Sequence, residues 1–204
     1  MKYVDDTSLW ECTNISGSNS TLQKAADQVT QWSASKRMQL NADKTKEMCI
    51  YFGRKPLTLP NVIIDGKSIE NVYTWKLLGV IINNKFTWDD HVNYITSKAN
   101  KRLYFLRMLK RANVDGSHIT QVYTSPVRFL LEYAAEVWHP GLTQKHNQQL
   151  EHIQKRALTI VYPELSYNTA LMASELHTLE TRRENICRYG LRQIVNILIH
   201  CITY

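Results

Sequence analysis

The sequence has no long apolar run and few residues of the types that cross-link a chain or bind a structural metal. No stretch of about 18 uncharged apolar residues occurs, so we expect no transmembrane helix, and no apolar core follows Lys2, so we expect no signal peptide. The four cysteines among 204 residues are far apart and form no C-x-x-C pair, which argues against a zinc site and a disulfide framework. Glycine and proline are scarce and no repeat or low-complexity tract occurs, as in ordinary folded proteins. A reducing, intracellular compartment is expected.

The positive charge is concentrated in the middle of the chain. The net charge is +7, and residues 53–112 hold eleven basic and four acidic side chains. The flanking ranges 1–52 and 113–204 each hold equal numbers of both signs. A local positive patch indicates a polyanionic partner such as nucleic acid, although a solvated basic face would have the same composition.

The first segment, residues 1–53, is predicted to contain a hairpin, a helix and a strand. The hairpin has Asp5-Asp6 at its tip and Thr7 to Cys12 as its second arm. Ser20-Thr21-Leu22-Gln23 matches a capping box, and apolar residues recur at helical spacing from Leu22 to Trp32. The strand is predicted over Glu47 to Phe52.

The second segment, residues 54–90, is predicted to form β-hairpins. Asp65-Gly66, the strongest short-range signal for a tight hairpin, lies between two β-prone stretches. Two further strands are predicted, over Val72 to Trp75 and over Leu77 to Ile82. A turn at 83–85 follows them.

The third segment, residues 91–204, is predicted to be helical. The four expected helices span about 95–109, 117–139, 145–161 and 175–199. Pro126 lies inside the second of them, where it forces a kink or a fresh start.

The helix around 95–109 has two different faces. Apolar residues from Ile95 to Leu109 repeat on one face, and the other carries Lys101, Tyr104, Arg107, Met108 and Arg111. Interleaved basic and aromatic side chains suit a helix that grips a nucleic-acid backbone. A solvated face whose long stems cover apolar surface would show the same pattern.

Asp5 and Asp6 are the candidate metal ligands. Polymerases clamp the attacking and leaving oxygens of phosphoryl transfer between two divalent cations about 3.5–4 Å apart, and Mg²⁺ takes carboxylate oxygens. A hairpin tip with two carboxylates can supply one side of such a cage. Taken alone, an Asp-Asp pair is more typical of a solvated turn.

A series of short motifs runs along the chain from Tyr3 to Arg183. They are Tyr3-Val4-Asp5-Asp6-Thr7, the helix ending at Trp32, Leu40 to Thr45, Trp75 to Val80, Trp88 to His91, Leu130 to Tyr133, Val137-Trp138, Ile153 to Ala157 and Leu179 to Arg183. The order of these motifs resembles the C-terminal part of a reverse transcriptase from a non-LTR (LINE-type) retrotransposon of the jockey and CR1-like groups. The implied fold class is α+β. It comprises a partial palm of short antiparallel strands with a helix, then a β-hairpin insert, then a mainly α-helical thumb and C-terminal region.

The resemblance also implies roles for individual residues. Asp5 would bind Mg²⁺ or Mn²⁺ with Asp6 beside it, and Lys44 would approach the triphosphate of the incoming nucleotide. The residues expected at the primer or on nucleic acid are Tyr3, Leu78, Gly79, Lys98, Lys101, Arg102, Arg107, Lys110 and Arg111. The implied partners are an RNA template and a DNA primer.

The sequence departs from the family pattern upstream of Tyr3. The palm aspartate of an earlier strand and the fingers would precede this position. We therefore expect the chain to be a fragment that extends no primer by itself. The first hairpin arm would also expose a sheet edge, and open edges favour self-association.

Two other functions compete with this interpretation. The basic range 53–112 fits a non-catalytic nucleic-acid-binding module. The stretch from about Trp32 to Arg111 also resembles the N-terminal segment of an AlkB-homologue-8-like repair protein, which would imply an Fe(II) oxygenase. Such oxygenases need a two-histidine, one-carboxylate triad, and His91-Val92-Asn93 is the nearest approach to the required motif.

Overall fold

The chain is built mostly from helices, with four small two-stranded sheets. The computed structural model describes residues 2–3, 6–12, 21–53 and 59–202, and the side chains of these except 2–3 and 194–202. The helices are α1 (Leu22–Ser35), α2 (Asp89–Arg111), α3 (Gly116–Val122), α4 (Phe129–Glu132), α5 (Ala135–Trp138), α6 (Gln144–Val161), α7 (Tyr167–Ala173) and α8 (Leu179–Ile202). A π-helical segment spans Tyr123–Arg128, and a 3₁₀ turn spans His139–Gly141.

The strands are short. They are β1 (Lys2–Tyr3), β2 (Asp6–Thr7), β3 (Lys46–Glu47), β4 (Ile63–Ile64), β5 (Lys67–Ser68), β6 (Glu70–Asn71), β7 (Thr74–Leu77) and β8 (Val80–Asn83). Three sheets pair strands that follow one another in the chain, β1 with β2, β4 with β5 and β7 with β8, while β3 pairs with β6. This mixture of helix and strand is compatible with the expected α+β class.

The chain divides into two compact units. The N-terminal unit comprises Met1–Leu77 and Ile82–Phe86, and the C-terminal unit comprises Leu78–Ile81 and Thr87–Tyr204. The turn between β7 and β8 thus belongs to the C-terminal unit. No helix in the part of the chain that the structure describes is both long and apolar enough to cross a lipid bilayer.

In the N-terminal unit, α1 packs against the β4–β5 hairpin. Ala26 is buried together with Ile64 and Ile69. The Gln23 side chain pairs with the backbone of Ile63 at both ends of its amide, donating to the carbonyl and accepting from the N–H at 2.8 Å each. The Gln23 amide thus bonds the backbone groups of Ile63 in β4 as a neighbouring strand would.

The predicted hairpin at Asp65-Gly66 is confirmed. Ile63 pairs with Ser68 and Ile64 with Lys67 in antiparallel register. Asp65 and Gly66 have φ values of 50° and 75°, as the two-residue turn that matches strand twist requires.

The predicted capping box begins at Ser20, which lies outside the described residues, and its other residues have different partners in the structure. Thr21 is the N-cap residue, and its side chain makes no capping hydrogen bond. Its N–H and its hydroxyl instead donate to the Glu11 carboxylate, at 2.8 and 3.0 Å. Gln23, the partner that the box requires, is engaged by Ile63. An acidic side chain at a helix N-terminus is favourable, so Glu11 serves the same purpose from outside the helix.

Two other predicted strands are shorter in the structure than their apolar residues indicated. Ladder pairing of the predicted strand Glu47 to Phe52 occurs at β3, which runs parallel to β6, and further along only the Tyr51 N–H is seen to donate to a distant backbone carbonyl, that of Asn84 at 3.2 Å, among the described residues. The second hairpin arm is confined to β2, and Trp10 beyond it is 80% exposed. Phe52, at the end of the other segment, is 84% exposed.

The core of the C-terminal unit lies where α2 packs against α6. Their buried apolar residues are Val92, Ile95, Ala99, Leu103 and Leu106 on α2, and Leu150, Ile153, Ala157, Leu158 and Val161 on α6. Polar side chains flank this contact, and Gln149 donates to Asn93 at 2.9 Å. The helices predicted at about 95–109 and 145–161 are confirmed.

Pro126 interrupts the predicted helix at 117–139. A proline inside a helix removes a backbone donor and clashes with the preceding turn. The chain accommodates Pro126 in the π-helical segment Tyr123–Arg128, and a wider turn of this kind is a known response. The helix then ends at Glu132, and Ala134 has a left-handed φ of 52° before α5 begins.

A buried glutamine connects α6 to three neighbouring segments. Gln154 is fully buried. Its oxygen accepts from the Tyr123 hydroxyl at 2.8 Å, and its amide donates to the Tyr167 hydroxyl at 3.1 Å and to the His177 carbonyl at 2.9 Å. Because buried polar groups need partners, this network fixes where α7 and the start of α8 lie.

Candidate nucleic-acid interface

The predicted catalytic residues lie only partly within the described structure. Asp5 is outside the described residues. Asp6 pairs with Tyr3 in the β1–β2 ladder and is exposed. Within the described part of the chain, no three histidine, cysteine, aspartate or glutamate side chains come together as metal ligands do. The magnesium site therefore stays a prediction.

Lys44 occupies an exposed turn in the N-terminal unit. Its N–H donates to the side-chain oxygen of Asn41 at 3.0 Å, which holds the turn. Beside this turn, Asp43 pairs with Lys67 at 3.1 Å. Both side chains line a cavity of about 260 Å³. Lys44 is exposed, and its role toward a triphosphate stays a prediction.

The Leu78–Gly79 turn connects β7 to β8 and is partly exposed. Leu78 and Gly79 have φ values of 45° and 90°, and a positive φ is unusual for leucine. The Leu78 side chain is 40% exposed. The family resemblance implies that this turn lies at the primer, and this role stays a prediction.

Tyr133 packs directly against this turn within the C-terminal unit. Its hydroxyl donates to the Leu78 carbonyl at 2.9 Å. A Cβ added at Gly79 would stand 3.0 Å from the Tyr133 ring. Glycine at this position therefore permits both the left-handed backbone and the close approach of the tyrosine.

We expect Gly79→Ala to destabilise the turn by about 1–3 kcal/mol, because the substitution combines backbone strain with a steric clash. Gly66→Ala is the matched control: its φ is also positive at 75°, but nothing lies within 4 Å of the added Cβ. Amide hydrogen exchange at each turn would measure the effect. Equal acceleration in both variants would mean that the Tyr133 contact adds nothing.

His91 holds the strand on the other side of the turn. Its Nδ1 accepts from the Ile81 N–H at 3.2 Å, so the proton of the neutral ring is on Nε2. The ring is buried between Trp88 and Trp138, with centroid distances of 6.3 and 5.3 Å. Burial lowers the pKa of His91 from 6.5 to about 4, so the ring stays neutral and able to accept.

The exposed face of α2 matches the sequence prediction. Lys101, Arg107 and Arg111 are exposed, and no hydrogen bond or ion pair within the described residues engages their side chains. Tyr104 and Phe105 are 54% and 61% exposed and lie edge to face, 6.0 Å apart. The face therefore offers unpaired cations next to open aromatic rings.

The other three predicted cations of α2 make contacts inside the unit. The Lys98 ammonium lies over the Tyr94 ring at 4.4 Å. Arg102 donates to the Pro126 carbonyl. Lys110 donates to the Val161 carbonyl at 2.9 Å, at the C-terminal end of α6. Arg102 and Lys110 thus cap backbone carbonyls, and they are less free to meet a ligand than the first three.

Sequence reasoning did not single out Tyr133 or His91 as site residues. Tyr133 appeared only within a matched motif, and His91 only within another matched motif and as the nearest approach to an oxygenase motif. Their partners Leu78 and Ile81 are distant in sequence, so no periodicity or spacing indicates the contacts.

Comparison with known proteins shows similarity to RNA-directed DNA polymerases of mobile elements. The chain is 24% identical over 160 residues to the RNA-directed DNA polymerase from mobile element jockey of Drosophila melanogaster, which covers 76% of this chain and 17% of the relative. It is 24% identical over 198 residues to a probable RNA-directed DNA polymerase from transposon BS of the same species, covering 93% and 21%. A third such enzyme, from transposon X-element, is 20% identical and covers 69% and 15%.

These matches confirm the resemblance to retrotransposon reverse transcriptases, and the chain spans about a fifth or less of each relative. No solved structure matches the chain. One family model, described as alkylated DNA repair protein alkB homolog 8, N-terminal, matches residues 88–127. This match is shorter than the expected range from Trp32 to Arg111 and begins further along the chain. It covers α2 and α3, where His91 is buried against tryptophan rings.

Proposed function

We propose that this chain is part of a non-LTR retrotransposon reverse transcriptase and that its C-terminal unit holds the primer and template strands. The single observation that carries the binding role is the exposed α2 face, where Lys101, Arg107 and Arg111 are unpaired within the described structure. The similarity to RNA-directed DNA polymerases over 76% and 93% of the chain supports the class of enzyme.

The chemistry of this face suits the sugar–phosphate backbone. Cations that neutralise phosphates release condensed counterions, which drives binding without regard to sequence. Aromatic rings add stacking energy for unpaired bases. Tyr104 and Phe105 lie beside the cations, so one strand could engage both kinds of group along the helix.

The Leu78–Gly79 turn would meet the same strands at a second point. Its glycine lets backbone atoms come close to a ligand, and its leucine offers an apolar side chain that is 40% exposed. A rigid turn suits a primer terminus, because small displacements of a reacting group cost large factors in rate.

The catalytic part of the proposal concerns the N-terminal unit. Asp5 and Asp6 would hold Mg²⁺, which stabilises developing negative charge on the oxygens of phosphoryl transfer. Lys44 would place its ammonium group near the triphosphate. These roles derive from the family resemblance alone.

The binding role predicts a salt-dependent affinity that depends on three side chains. For the intact protein and a labelled single strand, the log of the affinity should fall linearly with log salt, by about 0.7 per phosphate contact. Replacing Lys101, Arg107 and Arg111 together by alanine should make this slope shallower by about 2 and weaken binding by about ten- to a hundredfold at low salt. Fluorescence anisotropy across a salt series measures both quantities.

The matched control changes three exposed cations elsewhere in the C-terminal unit. Lys145, Arg188 and Arg192 are exposed, and replacing them by alanine removes the same charge. We expect a smaller change in slope than the α2 variant gives. Equal changes in the two variants would show that the α2 cations act only through the net charge of the protein. If the α2 variant binds like the wild type, the α2 face is not the interface.

The second candidate function is a nucleic-acid-binding module without catalysis, favoured by the charge of residues 53–112. Primer extension on a homopolymer RNA template with Mg²⁺ or Mn²⁺ tests whether this chain catalyses polymerisation by itself. Extension that disappears in Asp5→Asn assigns polymerase chemistry to this chain. Binding without extension is the result expected both of a non-catalytic module and of a polymerase fragment that is inactive alone.

A further inference from the structure

We propose that Tyr133 and His91 are positioning residues that together hold the Leu78–Gly79 turn in the one shape that binds nucleic acid. This inference rests on the proposed function, because it assigns a purpose to the shape of the turn. Neither side chain needs to touch the ligand. Each acts on a backbone atom on its own side of the turn.

The first support is a pair of hydrogen bonds that bracket the turn. Tyr133 donates to the carbonyl of Leu78, at the beginning of the turn. His91 accepts from the N–H of Ile81, two residues after Gly79. A two-residue turn fixed at both ends cannot rotate about the strand axis without breaking one of these bonds.

The second support is the origin of the two side chains. Tyr133 follows α4 directly, and His91 lies in the first turn of α2. Trp138 connects them: its indole N–H donates to the Tyr133 carbonyl at 2.9 Å, and its ring packs against His91. The turn is therefore anchored to the helical core of its own unit.

The third support is an unsatisfied polar atom at His91. Its Nε2 is buried and has no hydrogen-bond partner among the described residues. A buried donor without a partner is costly, and a leucine or phenylalanine would fill the same space without that cost. The ring nitrogen that does bond serves Ile81, so holding this strand is the contribution that a histidine makes here.

The test uses conservative variants that remove one hydrogen bond at a time. Tyr133→Phe keeps the ring against Gly79 and removes the donor. His91→Leu removes the acceptor, whereas His91→Asn retains an acceptor near the position of Nδ1. Tyr189→Phe, at an exposed tyrosine of α8, is the control for loss of a hydroxyl.

We expect Tyr133→Phe and His91→Leu each to weaken binding of a primer–template duplex by about fivefold, the equivalent of one net hydrogen bond. Their salt slope should equal that of the wild type, because no phosphate contact is lost. His91→Asn should recover most of the affinity, and Tyr189→Phe should change nothing. Amide resonances of Leu78 to Ile81 should shift in the two weakened variants without any nucleic acid present.

Separate outcomes overturn separate claims. Unchanged amide resonances would show that the two side chains do not hold the turn. Shifted resonances with unchanged affinity, in variants still folded by circular dichroism, would show that binding does not use the turn. Wild-type protein that binds no nucleic acid would overturn the proposed function, and the amide resonances would still decide whether Tyr133 and His91 fix the turn.

Discussion

Replacing Trp138 by alanine is expected to lower the free energy of unfolding of the C-terminal unit by about 4 kcal/mol, within the usual range for a buried tryptophan. The side chain is fully buried, so its removal leaves a large cavity. Trp138 also contacts three polar groups. It donates to the Tyr133 carbonyl at 2.9 Å, packs on His91 at 5.3 Å, and lies 5.8 Å from the guanidinium of the buried Arg183.

Chemical denaturation followed by circular dichroism of the helices measures this loss. Trp138→Phe should cost less than half as much, since it keeps an aromatic ring beside His91 and Arg183 and loses mainly the N–H donor. Trp10→Ala is the matched control, because Trp10 is 80% exposed and exposed substitutions change stability by about 0.5 kcal/mol or less. A loss below about 1 kcal/mol for Trp138→Ala would mean that the surrounding helices collapse into the space.

The same substitution should also affect the turn. Trp138 supports the backbone of Tyr133 and one face of His91, and these residues bracket the Leu78–Gly79 turn. We therefore expect exchange of the Ile81 amide to accelerate in Trp138→Ala by more than the loss of global stability accounts for. The stability of the core and the geometry of the candidate site thus depend on one side chain.

The sequence predicted the elements whose signal is local. Apolar periodicity located α2 and α6, and the Asp65-Gly66 dipeptide located the β4–β5 hairpin. Pro126 marked an interruption, which the structure realises as a π-helical segment. Each of these depends on neighbouring residues, so a single sequence contains the required information.

The structure differs from the sequence predictions where a residue distant in the chain bonds to a group that was expected to have a local partner. Ser20 to Gln23 reads as a capping box, but Glu11 bonds Thr21 and Ile63 engages Gln23. The strand predicted from Glu47 to Phe52 forms only at its start, where β6 supplies a partner. The seven residues of α7 were missed because so short a segment carries little periodicity; its Ser166 cap accepts from the Thr169 N–H at 3.3 Å.

The candidate site was predictable to the same extent. Spacing along α2 placed Lys101, Arg107 and Arg111 on the exposed face, and the structure agrees. The same spacing did not indicate that Arg102 and Lys110 donate to the carbonyls of Pro126 and Val161, because these carbonyls belong to other segments.

Stability should decrease as the pH falls from neutrality toward 4, because His91 must be neutral in the folded protein. Burial lowers the pKa of the folded-state ring to about 4, whereas the unfolded chain has the usual pKa of about 6.5. Between these values the unfolded state binds more protons, so the free energy of unfolding rises with pH. The loss should be about 2 kcal/mol between pH 7 and about pH 5, and about 3 kcal/mol by pH 4.

Other groups titrate in the same direction and must be separated from His91. Burial, and then the nearby Arg183 guanidinium, lower the pKa of His139, so this ring also disfavours folding at low pH. A hydrogen bond from His146 lowers the pKa of Asp89, and that contribution is lost only as the pH falls through a value below 3.8. Above pH 4, the pH dependence of the free energy of unfolding therefore includes contributions from His91 and His139 but little from Asp89.

Comparison of wild type with His91→Asn isolates the His91 contribution. Asparagine retains an acceptor for the Ile81 N–H and does not titrate. Between pH 7 and about pH 5, the free energy of unfolding of His91→Asn should therefore fall by about 2 kcal/mol less than that of the wild type. His139→Asn should remove only its own, separate part of the dependence. Parallel curves for wild type and His91→Asn would show that the ring is protonated at its ordinary pKa, and hence that water reaches it. In that case the bond to Ile81 would break near pH 6.5, and hydrogen exchange of the Ile81 amide would accelerate below that value.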